Sequence, residues 1–237
     1  MTDATPETWL ILGATSSMAR ALARKLAERG ANLLLAGRDM ADVEATASDC
    51  RLRGAALAES LHFDARAPET FQPILDRMNA MQGTLNAAVF VGSMPPQEEV
   101  DADPEMLDGV VADSFTGPAR LLHGLAPLLE ERGSGTIVGV GSVAGDRGRF
   151  GNYVYGSAKA GFATYMSGLR NRLGRSGTHA ITVKPGFVDT PMTADLEGLF
   201  LVASPQRVAR DILRAYKHKK DVLYTPWFWR YIMLIIR

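Results

Sequence analysis

The sequence predicts a single-domain, Rossmann-like α/β fold in which helices cover both faces of a doubly wound parallel sheet. Short apolar runs alternate with helical patterns along the whole chain. These runs are rich in Val, Ile and Leu and lack polar alternation, which is typical of strands buried on both faces. We expect one folded domain over residues 1–223, followed by an apolar, aromatic tail over residues 224–237.

Each element has its own signals in the sequence. The strand patterns, in order, are TWLILG, ANLLLAG, LHFDA, LNAAVFVGS, GTIVGVGS, HAITVKPG and DVLYTP. The helix patterns between them are SMARALARKLAERG, DMADVEATASDCRLRG, ETFQPILDRMNAM, TGPARLLHGLAPLLEERG, SAKAGFATYMSGLRNRLG and SPQRVARDILRAYKHKK. Gly30 is the expected end of the first helix, Asp39 a candidate N-cap of the second, and Ser204 with Pro205 opens the last.

The composition excludes several classes of protein. Of 237 residues, 46% are hydrophobic and 22% are charged, which supports a substantial core and argues against disorder. Lys plus Arg and Asp plus Glu number 26 each, so no net charge attracts nucleic acid. Cys50 is the only cysteine and the four histidines are far apart. We therefore expect no disulfide framework, no metal site and a cytoplasmic location.

The turn GATSSMA, residues 13–19, follows the first strand. In this fold the first strand–helix turn binds phosphate through backbone N–H groups at a helix N-terminus. Gly13 can form the tight turn, while Ser17 and Ala19 occupy two positions where glycine is expected. The alternative is a plain turn with a serine N-cap, and the turn alone favours neither. The residues expected to contact the nucleotide here are Gly13, Thr15, Ser16, Ser17 and Met18.

The end of the second strand, LLLAGRD, bears on the choice of dinucleotide. An NAD site would place an acidic side chain where Gly37 stands. Arg38 follows, and a guanidinium is suited to a 2′-phosphate. Asp39 could instead turn toward the ribose and favour NAD, or cap the next helix. We favour NADP(H) over NAD(H).

A second constellation lies in GVGSVAGDRGRFGNYVYGSAKAG, residues 139–161. Tyr155 and Lys159 are four residues apart at the start of a helical pattern, so they share a face. Ser142 ends an apolar strand, at the sheet edge where ligands bind in parallel sheets. Reduction of a ketone needs an acid, and a nearby ammonium lowers the pKa of a phenol. Ser142 could orient the substrate oxygen. A Tyr-x-x-x-Lys pair alone also occurs on solvated helices.

These residues resemble the short-chain dehydrogenase/reductase family over nearly the whole chain. Ser142, Tyr155 and Lys159 match the family's catalytic serine, tyrosine and lysine, and KPGFVDTPM resembles its Pro-Gly segment. The resemblance implies that Lys159 also holds the nicotinamide ribose and that Asp64 contacts adenine. It further implies cofactor contacts from Gly92, Pro185, Gly186, Val188 and Thr190.

The sequence is also similar to a bacterial subgroup of this family with a GATS-type nucleotide turn. Reductases of polyprenyl-phosphate-linked keto sugars have a similar turn. It departs from the family pattern at VFVG, residues 89–92, where the family has Asn-Asn-Ala-Gly. Ser114 stands where the family places an asparagine whose backbone carbonyl holds a water beside the lysine. Ser114 can still supply that carbonyl. The proton path is nevertheless where the sequence departs most from the family.

The substrate side is expected at the loop SMPPQEE and around Phe150, Met192 and Leu199. The resemblance implies a small carbonyl or secondary alcohol substrate, with a keto sugar or lipid-linked compound as candidates, and a homodimer or homotetramer. The tail YTPWFWRYIMLIIR is too short to span a bilayer, which needs about 20 apolar residues. It resembles an interfacial anchor, but we favour the alternative that it is a helix packed on a neighbouring subunit or on the substrate pocket.

The leading hypothesis is an NADP(H)-dependent oxidoreductase with Tyr155 as acid/base, Lys159 as its modulator and Ser142 as substrate orienter. The alternative is a catalytically weak nucleotide sensor or scaffold protein on the same fold. A third hypothesis is a peripheral membrane protein that attaches through its tail.

Overall fold

The computed structural model describes residues 6–194, 198 and 200–236. The strands are β1 (Glu7–Leu12), β2 (Asn32–Gly37), β3 (Leu57–His62), β4 (Thr84–Val89), β5 (Thr136–Val140), β6 (His179–Pro185) and β7 (Val222–Thr225). The helices are α1 (Ser17–Ala27), α2 (Met40–Leu52), α3 (Phe71–Ala80), α4 (Gln97–Ala102), α5 (Pro104–Val111), α6 (Gly117–Arg132), α7 (Tyr153–Leu173), α8 (Pro205–Lys217) and α9 (Trp229–Ile236). The strands form a parallel sheet of order β3-β2-β1-β4-β5-β6-β7.

Helices cover both faces of this sheet, as the apolar strand patterns predict. Alternate residues of β1 point to opposite faces, so Trp9 and Ile11 join one core while Leu10 and Leu12 join the other. The first core is closed by α1, α2 and α8, and the second by α3, α6 and α7. Burial of each such side chain contributes about 1.5–3 kcal/mol. The predicted Rossmann-like fold class is confirmed.

The helix starts follow the predicted capping residues. Ser16 accepts the backbone N–H of Ala19 at 3.2 Å and begins α1. Asp39 accepts the N–H groups of Ala41 and Asp42 and begins α2. The predicted end of α1 is wrong, because α1 ends at Ala27 and Gly30 lies beyond it with φ +74°.

The segment 97–116 is more regular than the sequence predicts. SMPPQEE, expected as a loop, already contains the start of α4 at Gln97. Pro104 opens α5, and Asp103 caps it by accepting the N–H of Glu105. One π-helical turn, Ala112–Thr116, then joins α5 to α6. Acidic residues dominate residues 97–108, so no apolar periodicity marks these helices.

The C-terminal segment folds onto the sheet edge. The predicted boundary between residues 223 and 224 falls inside β7, and α9 follows with Trp229 and Met233 buried. Its other side is exposed, including Tyr231, Leu234 and Ile235. None of the helices in the described part of the chain is long and apolar enough to cross a membrane. Arg237, the last residue of the predicted tail, lies outside the described residues.

Candidate active site

The strand order reverses between β1 and β4, which places a crevice at the carboxyl ends of these strands. Two adjoining clefts lie along this edge. The first has an open volume of about 750 Å³ and is lined by Gly13, Thr15, Ser16, Gly37, Arg38, Asp39, Phe63, Asp64, Ala65, Phe90, Val91, Gly92 and Asp113. It therefore brings together six of the fourteen residues that the sequence predicts for a nucleotide, namely Gly13, Thr15, Ser16, Arg38, Asp64 and Gly92. Ser17 is not among its lining residues, and Met18 lines the second cleft instead.

The turn between β1 and α1 keeps its tight form with one glycine. Gly13 has φ +74°, and an added Cβ would lie 2.9 Å from the carbonyl oxygen of Phe90. Only glycine fits this close approach to the end of β4. Ser17, which stands where a glycine is expected, is the first residue of α1. A side chain at this position is therefore compatible with the turn. The positive end of α1 faces the cleft, an arrangement suited to a pyrophosphate.

The charged groups at the far end of this cleft have distinct roles. Arg38 has no carboxylate within 4.0 Å among the residues that the structure describes, so its guanidinium is available to an anion. Asp39 is engaged as the N-cap of α2 through Oδ1. The carboxylate of Asp64 accepts the backbone N–H of Arg66 at 2.9 Å. This cleft fits a nucleotide cofactor.

Asp113 also lines the nucleotide cleft, and the sequence analysis missed it. Its carboxylate accepts two hydrogen bonds from Arg66, at 2.8 and 2.7 Å. The pair joins the segment after β3 to the π-helical turn. A single aspartate and a single arginine 47 residues apart show no local pattern, so only the fold reveals them.

Two of the predicted catalytic residues, Ser142 and Tyr155, line the second cleft, whereas Lys159 and Ser114 are not among its lining residues. Tyr155 and Lys159 lie one turn apart in α7 and are buried, with Lys159 Nζ 5.8 Å from the centre of the Tyr155 ring. Lys159 Nζ donates to the carbonyl oxygens of Val91, at 2.9 Å, and Val140, at 3.2 Å. The Ser142 hydroxyl, just beyond β5, accepts the N–H of Ala144.

Burial dominates the electrostatics of this pair. It raises the pKa of Tyr155 to about 12, and a hydrogen bond with Ser142 opposes the shift. Burial lowers the pKa of Lys159 to about 8. The sequence predicts that the nearby ammonium lowers the pKa of Tyr155. In the free chain the pKa of Tyr155 is raised instead. The physical reason is that desolvation of the phenolate exceeds the favourable contacts that the free site provides.

Ser114 lies inside the π-helical turn and is fully buried. Its hydroxyl donates to the carbonyl oxygen of Ser93 and accepts the N–H of the same residue, both at 3.3 Å. An added Cβ on Gly92 would lie 2.9 Å from Lys159 Nζ and 3.2 Å from Ser114 Oγ. Gly92 therefore separates these two polar groups. π-Helical turns of this kind are frequent at functional sites.

The second cleft has an open volume of about 600 Å³. It is lined by Met18, Met94, Gly141, Ser142, Val143, Ala144, Arg149, Asn152, Tyr155, Pro185, Gly186, Phe187, Val188, Thr190, Met192 and Thr193. The Pro-Gly residues and Met192 thus face the catalytic residues as predicted. Phe150 does not, because its side chain is 98% exposed, and Leu199 lies outside the described residues.

The tail contributes to this site from behind. An added Cβ on Gly186 would collide with the indole of Trp229, which is only 1% exposed. The Trp229 ring also makes an edge contact with Phe187, with ring centres 5.5 Å apart. Helix α9 is therefore seated directly on the Pro-Gly segment. The buried side of α9 agrees with the interpretation of the tail as a helix that packs against the substrate pocket.

A nucleotide cleft together with a neighbouring Ser–Tyr–Lys set, whose Tyr155 and Lys159 are buried, is typical of a nucleotide-dependent dehydrogenase or reductase. The family model for short chain dehydrogenase matches residues 7–198, and the chain belongs to this family. It is therefore an oxidoreductase that uses a nucleotide cofactor. Within the described residues, no group of three or more His, Cys, Asp or Glu side chains is placed to hold a metal ion.

Other oxidoreductases are similar to this chain over nearly its whole length. The chain is 33% identical to an uncharacterized oxidoreductase of Mycobacterium tuberculosis, covering 96% of this chain and 92% of that protein. It is 32% identical to an uncharacterized oxidoreductase of Streptomyces coelicolor, covering 98% and 92%. A solved structure of a short-chain dehydrogenase from Sphingobium yanoikuyae in complex with NADPH is 27% identical. It superposes with a TM-score of 0.80 over 93% of this chain and 88% of that one.

Proposed function

We propose that this protein transfers a hydride between NADP(H) and a carbonyl or secondary alcohol substrate. The observation that supports this most is the position of Gly92, which lines the nucleotide cleft and lies beside Lys159 Nζ and Ser114 Oγ. The nucleotide can then lie along the carboxyl edge of the sheet with its nicotinamide end beside Tyr155. The nicotinamide, when bound, supplies or accepts the hydride.

The proposed cofactor contacts follow the crevice from one end to the other. The N-terminus of α1 faces the pyrophosphate, Arg38 pairs with the 2′-phosphate and Asp64 contacts the adenine end. Lys159 holds the nicotinamide ribose, and the Pro-Gly segment holds the carboxamide. The full proposed set is Gly13, Thr15, Ser16, Ser17, Met18, Arg38, Asp64, Gly92, Tyr155, Lys159, Pro185, Gly186, Val188 and Thr190.

In reduction, Tyr155 donates its phenolic proton to the developing alkoxide. Its raised pKa keeps the phenol protonated in the free site, which is the form that reduction requires. Ser142 donates a hydrogen bond that orients the substrate oxygen. Lys159, in its charged form, stabilises the phenolate that remains. The backbone around Ser114 provides the route by which Tyr155 is reprotonated.

The first test is nucleotide binding. We expect NADPH to bind more tightly than NADH when nicotinamide fluorescence is titrated with purified protein. Arg38→Ala removes a charge-assisted contact, so it should weaken NADPH binding about 10–100-fold and leave NADH binding unchanged. A preference of the unmodified protein for NADH would shift the ribose contact to Asp39.

The second test is turnover. Tyr155→Phe removes the proton donor but keeps the ring, so we expect ketone reduction to fall to background while NADPH binding stays within about twofold. Equal turnover by the variant would refute the assignment of Tyr155. Nucleotide binding without turnover by the unmodified protein would favour the sensor or scaffold function. The altered nucleotide turn and the serine at position 114 are the observations that support this second candidate.

Three proposals concern substrate, assembly and location. A keto sugar or lipid-linked carbonyl compound is a candidate substrate, and the protein is proposed to act in the cytoplasm as a homodimer or homotetramer. The exposed side of α9, with Tyr231, Leu234 and Ile235, supports a peripheral membrane contact. Flotation with liposomes, with and without residues 224–237, tests that contact. Light scattering of the purified protein tests the assembly.

A further inference from the structure

The side chain of Asn152 lies at the start of α7, beside the second cleft. Asn152 is the N-cap residue of α7, yet it makes no capping hydrogen bond. The N-caps of α1, α2, α5 and α8 each accept a backbone N–H from their own helix; they are Ser16, Asp39, Asp103 and Ser204. Asparagine is among the residues most favoured for capping. The Asn152 amide is therefore able to make a capping hydrogen bond but is left without one.

Gln97 performs the capping of α7 from a different helix. Its Oε1 accepts the backbone N–H of Val154 at 3.2 Å, and its Nε2 donates to Asp101 at 2.9 Å. Gln97 is buried and α4 holds it in place. Gln97 thus satisfies the Val154 N–H, which is one of the two backbone groups that an N-cap side chain can accept, and the Asn152 amide lines the second cleft.

The side-chain oxygen of Asn152 lacks a hydrogen-bond donor among the described residues. Among the described residues, Asn152 Oδ1 is shielded from solvent and accepts no hydrogen bond. Its Nδ2 has only a weak contact, 3.8 Å from the sulfur of Met94. A buried acceptor without a donor costs about 1–3 kcal/mol. Met94, an unbranched and flexible side chain, also lines the cleft and covers the amide.

Asn152 immediately precedes α7 and Tyr155 lies in the first turn of that helix, and both residues line the second cleft. A molecule whose carbonyl oxygen meets Tyr155 and Ser142 therefore shares this cleft with the Asn152 amide. We infer that Asn152 is a specificity-determining residue and that the substrate is an α-hydroxy carbonyl compound. Its hydroxyl displaces Met94 and donates to Asn152 Oδ1. This inference rests on the proposed reductase function.

The test compares two ketones that differ by one hydroxyl group. Acetophenone and α-hydroxyacetophenone are reduced with NADPH, and kcat/KM is measured for each by loss of absorbance at the nicotinamide band. We expect the hydroxylated ketone to be preferred about tenfold, the size of one hydrogen bond to an otherwise unpaired buried group. Asn152→Leu should bring the ratio close to 1, while kcat/KM for acetophenone stays the same or rises. An unmodified protein without preference, or a variant that keeps it, overturns the inference.

Two further variants separate recognition from folding. Tyr153→Phe removes a hydroxyl from the same helical turn, but one that contacts Asp101 outside the cleft, so the preference should persist. Gln97→Leu frees the Val154 N–H. Asn152 should then turn back to cap α7, and the preference should be lost without any change to Asn152 itself. A Gln97→Leu variant with unchanged preference contradicts the role of Gln97.

Failure of the inference can be told apart from failure of the proposed function. Calorimetric binding of the two ketones to the NADPH complex of Tyr155→Phe needs no turnover. Tighter binding of the hydroxylated ketone, lost in the Asn152→Leu, Tyr155→Phe double variant, supports the inference even where no reduction is observed. Equal binding of the two ketones overturns it, whether or not the unmodified protein is active. Nucleotide binding without reduction of either ketone counts against the proposed function alone.

Discussion

A methyl group added at Gly186 tests whether the tail is an integral part of the active site. In Gly186→Ala the new Cβ would lie 2.5 Å from Trp229 Cδ1 and closer still to Nε1. Since non-bonded carbon atoms prefer about 3.5–4.0 Å, the indole must withdraw by at least about 1 Å. Gly186 does not have a positive φ, so backbone strain adds nothing to this effect.

The cost can be bracketed from the packing. Withdrawal of the ring within the cluster of Trp229, Phe187 and Phe200 is overpacking, which costs about 1–3 kcal/mol. Complete expulsion of the indole would expose about 150–250 Å² and cost about 4–6 kcal/mol. Withdrawal within the cluster costs less than expulsion, so the ring should withdraw. We therefore expect Gly186→Ala to lower the free energy of unfolding by about 1–3 kcal/mol.

A double-mutant cycle followed by urea unfolding measures this effect. Trp229→Ala alone should cost about 3–5 kcal/mol, because a large buried ring is lost. In that background Gly186→Ala should cost about zero, since the cavity accepts the methyl group. Gly168→Ala is the matched control: it lies on the exposed side of α7 with no heavy atom within 4 Å, and it should stabilise by about 0.5–1 kcal/mol. Additive costs for Gly186→Ala and Trp229→Ala would refute the contact between α9 and the Pro-Gly segment.

Further predictions concern the catalytic centre. Gly92→Ala places a Cβ 2.9 Å from Lys159 Nζ, so kcat for ketone reduction should fall at least about tenfold. Gly148→Ala, with nothing within 4 Å, should leave it unchanged, and equal effects of the two changes would contradict the steric reasoning. Burial lowers the pKa of Lys159 to about 8, so the ammonium is present below that pH and lost above it. The pH profile of kcat/KM for reduction should therefore decline above about pH 8. The residual activity of Lys159→Arg, whose guanidinium stays charged, should lack this decline. An unchanged inflection in that variant would assign the titration to another group.

The fold class and the placement of the candidate catalytic residues on their elements were predictable because their signals are local. Apolar runs of strand length alternate with helical periods, and this alternation is sufficient to predict the parallel sheet. Ser142 ends a strand pattern, and Tyr155 and Lys159 share a helical turn. Asp39 and Ser16 cap helices because their side chains reach N–H groups two or three residues away. Each of these relations spans only a few residues, so the sequence alone determined them.

Tertiary structure decided the relations that join distant segments. The contact of Trp229 with Gly186 and the capping of α7 by Gln97 connect residues that share no periodic pattern. The pKa of Tyr155 depends on how completely the fold excludes water from the phenol, which a Tyr-x-x-x-Lys pattern cannot encode. The sequence determined which groups are present and on which elements they lie. Close packing of the elements decided which of these groups meet and which lose their solvent.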